Sequence, residues 1–343
     1  MTDALIPNNP HAGQALAFSF GDPEPILSGS LIHDYTGVFL DLSGDYYRPP
    51  IELLGLVKLM GANAYHGSIL HFKKNMLRKW FVPSRWLSGA EFEKLALNYV
   101  VTGNCYAQKL TSGFFGQLAQ LINQNALPMR RGKQPGQFIK LLDDVKQVEF
   151  LHDEIIHLQE PDLRQSIYGI PEYLGGIQSV LLGEESTLFR RKYYLNGAHM
   201  GYILVTNDAD LDEKTAKLIE QKVKESKGPG NFRSMFINIG RSTSREPVKV
   251  IPVGDIATKD EYEIIKAITE REMLAMHRMQ PGLSGIIPQN TGGFGDMEKI
   301  MHVYHELEIT ALQLPFLELN DLLGVEAVRF QKPDWKVNPK TAP

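Results

Sequence analysis

His302 and His305 stand three residues apart on a helical stretch, next to Glu306 and Glu308. Imidazoles at that spacing share a helix face and could supply half of a metal site. One reading is therefore a metal-dependent nucleic-acid enzyme using His302 and His305. No third ligand stands out elsewhere in the chain, and polar histidines on a helix surface account for the same spacing. The pairs His66/His71 and His152/His157 are equally unsupported. The single cysteine, Cys105, sits in the apolar stretch Tyr99-VVTGNCYAQ and reads as an inert buried thiol. One cysteine excludes an intrachain disulfide and fits a reducing compartment. No Gly-x4-Gly-Lys-[Ser/Thr] phosphate loop and no Gly-x-Ser-x-Gly nucleophile elbow occur, and Arg131-Gly132-Lys133 lacks the partner glycine. No catalytic set, cofactor site or metal site is expected.

What stands out instead is Pro281-GLSGIIPQNTGGFG-Asp296, sixteen residues with five glycines and two prolines between two helical stretches. Such a segment cannot continue a helix, and a loop this long in a compact protein is usually functional or disordered. Its glycines do not follow a strand, as a dinucleotide fingerprint would require. Its middle, Ile286-Ile287-Pro288-Gln289-Asn290 with Thr291, has no charge to grip a phosphate. The expectation is a surface that lets something slide past it.

The elements that must position this loop come from apolar spacing. Residues 1–50 read as an irregular arm and a connection. After Pro49-Pro50, the stretch from Ile51 to Trp80 is helical, in two pieces broken near Gly61. Glu91 to Val101 is a further helix. Tyr106-AQKL, Phe138-IKLL and Val148-EFL carry strand patterns. Tyr173 to Asn196 is one helix of about six turns, ended by Asn196-Gly197. The charged helix from Leu211 to Lys227 carries acids early and lysines late, as the helix dipole favours. Phe232-RSMFINI and Val248-KVIPV, joined by Gly240-RSTSRE, read as a small β-hairpin. Lys259 to Gln280 is a helix with Ile265, Ile268, Met276 and Met279 on one side. Met297 to Leu323 is a third helix, about 40 Å long and kinked at Pro315. Two antiparallel helices with a β tip form a stalk that buries little surface alone and makes sense where copies stand side by side.

At 343 residues the chain has length for about two domains. Its formal charge of −4 argues against coating nucleic acid, which calls for a basic excess. A wall that attracted a moving polyanion strongly would hold it in place. No apolar run nears the ~18 residues of a membrane span, and the start lacks the pattern of a signal peptide. His71-FKKNMLRKWFVPSRW and Phe189-RRKYY interleave basic and aromatic residues, which could stack bases or anchor a subunit contact. They would equally serve a monomeric scaffold or adaptor protein. Arg233, Arg241 and Arg245 around the hairpin would meet an acidic partner or passing DNA.

The segment Glu154-IIHLQEPDLRQSIYGIPEYLGGIQSVLLGEESTLFRRKYYLNGAHMGYILV resembles the portal proteins of tailed bacteriophages, in their PBSX-like or Q-like branch. The I-H-L strand, the Y-G-I-P turn, the long helix and the Y-L-N-G-A-H-M-G-Y-I-L ending follow in order. Phe18-SFGDPEP, Thr102-GNCY and Leu314-PFLELND extend the resemblance over most of the chain. It implies an α+β portal-type fold. Residues 1–207 would form a mixed α/β wing with an N-terminal arm, 208–228 and 259–280 the two-helix stem, and 229–258 a small β-containing clip. Residues 281–296 would be the tunnel loop, 297–323 the long kinked helix returning to the wing, and 324–343 a short tail or minimal crown.

The resemblance further implies a dodecameric ring oligomer at one capsid vertex of the virion, assembled in the host cytoplasm. Its partners would be the large terminase subunit, major capsid and scaffold proteins, head–tail connector proteins and non-specifically bound double-stranded DNA, with no membrane. Ile286, Ile287, Pro288, Gln289, Asn290 and Thr291 would touch the duplex. Lys259, Lys266 and Arg271 would line the channel from the stem. Arg233, Arg241 and Arg245 would meet terminase or connectors at the clip. The protein itself would not be an enzyme.

Overall fold

The computed structural model describes residues 38–113, 116–142, 146–195, 202–206, 235–238, 248–252, 258–284 and 296–334, together with Lys214 and Lys217. The chain divides into two compact units, Met1–Leu174 with Met279–Pro343, and Gly175–Arg278. The segment 1–207 therefore spans both units.

In the first unit, α1 (Leu53–Ala62) and α2 (Ala64–Trp80) are separated by a single residue. The break falls at Asn63 rather than at Gly61. Asn63 is extended, and its side chain accepts the N–H groups of Tyr65 and His66 at 3.0 and 3.3 Å, which opens α2. The helices then cross closely: a Cβ on Gly67 would lie 2.1 Å from the Met60 carbonyl oxygen. The inward face of α2 is His66, Ile69, Leu70, Lys73, Met76 and Leu77, the three-and-four spacing of an amphipathic helix. Strand β1 (Phe81–Val82) follows, then α3 (Gly89–Thr102), which Ser88 caps by accepting the Glu91 N–H. Gly103 ends α3 in the left-handed conformation, φ 70°.

Five antiparallel pairings build the sheets of this unit from described residues. Strand β2 (Asn104–Thr111) lies between β3 (Leu118–Gln124) and the later β7 (Ile155–Gln159). Strand β5 (Phe138–Leu141) lies between β4 (Met129–Arg131) and β6 (Gln147–Glu149). Tyr106, Ala126, Met129, Phe138 and Ile155 form a buried cluster across the two sheets.

The C-terminal part of this unit runs through α6 (Met297–Tyr304), a π-helical turn (His305–Ile309) and α7 (Thr310–Leu323), and ends in β11 (Arg329–Phe330). Strand β11 pairs with β1. The departure from α-helical geometry thus precedes Pro315, which lies inside α7. A π turn takes one residue more than an α turn and sets back the helix phase by roughly a quarter turn. That offset keeps Tyr304, His305, Glu308 and Ile309 on the same buried side as Gln313, Phe316 and Leu319. Phe316 meets Phe92 and Tyr99 of α3 edge-on, at 5.2 and 5.4 Å between ring centroids.

A 3-10 turn (Glu172–Gly176) leads into α4 (Ile177–Leu195) of the second unit, which packs on α5 (Thr258–Met276). Ser179 donates to Glu272 across that pair at 2.5 Å. Strands β8 (Tyr202–Thr206), β9 (Met235–Asn238) and β10 (Val248–Pro252) form one sheet in the order β10-β8-β9. Among the described residues the last two strands do not pair as the expected hairpin, because β8 lies between them. Leu204 of β8 pairs antiparallel with Val250 on one side and parallel with Phe236 on the other. The run Tyr-Ile-Leu-Val is continuously apolar, as suits a central strand. The expected helix at 211–227 lies outside the described residues except for Lys214 and Lys217, both helical.

Candidate functional site

The glycine-rich loop is fixed at both rims. Pro281 opens a 3-10 turn (Pro281–Leu283), and the Ser284 N–H and hydroxyl both donate to the Pro281 carbonyl, at 3.1 and 2.7 Å. At the other rim Asp296 caps α6 by accepting the Lys299 N–H at 3.2 Å, and Lys299 also pairs with it at 3.3 Å. Those bonds hold the Asp296 carboxyl below its ordinary range. The 3-10 turn packs against α6, so the chain departs at Ser284 and returns at Asp296 from neighbouring points. Ile286, Ile287, Pro288, Gln289, Asn290 and Thr291 lie outside the described residues.

On α5, Lys266 and Arg271 are both exposed, but five residues at 3.6 per turn put them about 140° apart. Position 259, seven residues before Lys266, shares its face. Lys266 and Arg271 therefore stand on different faces of α5. The apolar side expected from the spacing is only partly covered, with Met279 buried. Ile268 is 46% exposed, whereas Thr269, Met273 and Leu274 are buried. The helix is apolar on more than one side, and periodicity alone does not rank the sides. Arg233, Arg241 and Arg245 lie outside the described residues.

The two histidines of the long helix separate. His302 is exposed, whereas His305 is buried, edge-on to Trp80 at 5.5 Å and 3.6 Å from Glu306. Burial lowers the His305 pKa against the opposing pull of Glu306. Among the described residues no three His, Cys, Asp or Glu side chains converge as metal ligands. What the π turn does hold is an ion pair: Lys73 of α2 meets Glu308 at 3.6 Å, with both side chains largely buried. Burial pushes the Cys105 thiol up, as an inert cysteine requires.

Three of the motifs that carry the resemblance, Thr102-GNCY, the I-H-L strand and the Y-G-I-P turn, meet in one place. Asn104 Oδ1 accepts the Gly169 N–H at 2.7 Å and its amide donates to the Gly169 carbonyl at 2.8 Å. Because the Asn104 amide nitrogen is committed to carbonyls, His157 Nε2 donates to Oδ1, at 2.9 Å. His157 stacks on Tyr106 at 4.3 Å, and its pKa is lowered to about 3 by burial and then by Arg131. Gly169 admits no side chain, since a Cβ would lie 1.9 Å from the Gly103 oxygen. Tyr168 donates to the Tyr47 carbonyl at 2.6 Å and accepts the Arg131 N–H at 2.9 Å. Sequence reasoning sees these as motifs in order. Their convergence depends on the β2–β7 pairing, which spacing does not reveal. With Asn104 and Gly169 committed to one another and His157 held neutral, the cluster is a scaffold rather than a reactive centre.

No protein-family model matches the chain. It is 44% identical over 292 residues to a probable portal protein of Haemophilus phage HP1, covering 84% of each chain. It is 36% identical over 315 residues to a probable portal protein of Escherichia phage P2, covering 92% of this chain and 90% of that one. Among solved structures, an HK97-family phage portal protein from Corynebacterium diphtheriae shares its fold, with a TM-score of 0.53 at 9% identity over 84% of this chain and 97% of that one. The chain belongs to the family of phage portal proteins.

Proposed function

We propose that copies of this portal protein close into a dodecameric ring at one capsid vertex of the virion, with a central channel that carries double-stranded DNA in during packaging and out at ejection. The observation that carries the reading is the uncharged glycine-rich segment, held at Ser284 and Asp296 by adjacent, hydrogen-bonded rims in a chain of this family. Anchored rims with an uncharged span suit a collar that touches a polyanion without holding it, since tight phosphate binding requires cations. In this assignment 1–207 is the wing, 208–228 and 259–280 the stem, 229–258 the clip, 281–296 the tunnel loop and 297–323 the helix returning to the wing.

Lys259 and Lys266 share the helix face best placed to line the channel. The clip, with Arg233, Arg241 and Arg245, docks the large terminase subunit and later the head–tail connector proteins. The protein hydrolyses nothing itself, and a separate motor supplies the work. Shortening residues 284–293 tests the loop's role: DNA packaging or retention falls while rings still form. Normal packaging and retention of full-length genomes by the shortened protein would contradict it.

A further inference from the structure

Two exposed apolar lines run along helices of this chain. On α5, Ile264 is 58% and Ile268 46% exposed, and Arg271 and Ala275, both exposed, continue the line at the i, i+4, i+7, i+11 spacing of one helix face. On the long helix, Val303, Leu307 and Leu322 are between 51% and 68% exposed, and Ala311 between them is exposed as well. The π turn matters here too. By setting back the phase, it brings Val303 and Leu307 into line with Ala311 and Leu322, whereas a continuous α-helix would let them drift around the cylinder. Exposed Glu306, Glu318 and Asp321 flank this second line.

We infer that the two lines are the halves of one contact between neighbouring copies, α5 of one subunit lying along the long helix of the next. The inference rests on the ring reading and specifies its interface. Large apolar side chains left exposed together on one helix face mark an interaction surface. The flanking charges are complementary: Arg271 on one line, three carboxylates beside the other. A contact between different patches of identical subunits is head-to-tail, and such a contact gives a ring when the rotation between neighbours closes. Arg271 then faces the neighbouring subunit rather than the channel, which agrees with its position about 140° from Lys266.

The test uses two single-site variants, Ile268→Cys and Leu307→Cys, coexpressed with different tags and treated with a short bis-maleimide. Cys105 is buried and does not compete. The expected product is a covalent species carrying both tags, absent when either variant is treated alone. Oligomers by light scattering without any mixed species overturn the interface and leave the ring reading standing. Self-cross-linking of Leu307→Cys alone also overturns it, because it requires a symmetric contact. A coexpressed protein that is monomeric under all conditions sinks the ring reading itself. As an independent arm, Leu307→Glu shifts the particle mass from ring to monomer with an unchanged melting temperature. Adding Ile268→Lys restores at least part of the ring population, and failure of that rescue with both chains folded counts against the pairing.

Discussion

Asn104 and Gly169, sixty-five positions apart, exchange two hydrogen bonds: the Gly169 N–H donates to Asn104 Oδ1 at 2.7 Å, and the Asn104 amide donates to the Gly169 carbonyl at 2.8 Å. Asn104 is fully buried and also receives His157. One side chain therefore ties the end of α3, strand β7 and the Tyr168-Gly169-Ile170-Pro171 turn together. Asn104→Leu keeps the volume but strands several buried polar groups. At about 1–3 kcal/mol for each unsatisfied group, the loss is about 3 kcal/mol or more. Denaturant midpoints of the two proteins check it.

Gly169→Ala forces a methyl group against the Gly103 carbonyl, which is backbone and cannot swing aside. The expected cost is about 1–3 kcal/mol, the usual range for overpacking. Gly175→Ala is the control, because nothing lies within 4 Å of the added carbon. A comparable loss at both positions by thermal denaturation would show that the close approach is not what selects glycine.

Burial holds His66 at about 4 and His157 at about 3, below the ordinary histidine value near 6.5. Below about 6.5 the unfolded chain takes up protons that the folded chain does not. The stability these residues contribute is thus complete above about 6.5 and is lost as pH falls toward 4, and for His157 toward 3. The unfolding midpoint should drop between pH 7 and 4, and His157→Gln should flatten that drop. An unchanged slope in the variant would remove His157 from the account.

The Lys73–Glu308 pair is largely buried where α2 meets the π turn. Removing one charge alone, as in Lys73→Met, leaves the other poorly compensated and costs about 3–5 kcal/mol. The double substitution Lys73→Met with Glu308→Leu should recover most of that loss. A double-mutant cycle on unfolding free energies measures the difference.

Much of the fold was legible because it follows local periodicity. The break between α1 and α2, helices α3 and α4, and the strands at Tyr106, Phe138 and Val148 all sit on clear apolar spacings. The β10-β8-β9 order was not legible. Tyr202-ILV is apolar on every position and chooses partners only when α4 and α5 bring distant strands together. The π turn at His305–Ile309 was hidden for the same reason, since it answers to burial of Tyr304 and Phe316 rather than to Pro315. At the site, the uncharged composition of the loop was evident, whereas the hydrogen-bonded rims at Ser284 and Asp296 are seen only in the structure. The face of α5 was not evident, because Ile264, Ile265, Ile268 and Leu274 spread over about half of the helix circumference and only packing decides which are covered.

Electron micrographs of the purified, assembled protein test the central claim most directly. End-on particles should show dodecameric rings around an open channel, with residues 285–295 at its narrowest point. Solitary subunits at every concentration and ionic strength, or rings that carry this segment on their outer rim, would contradict it.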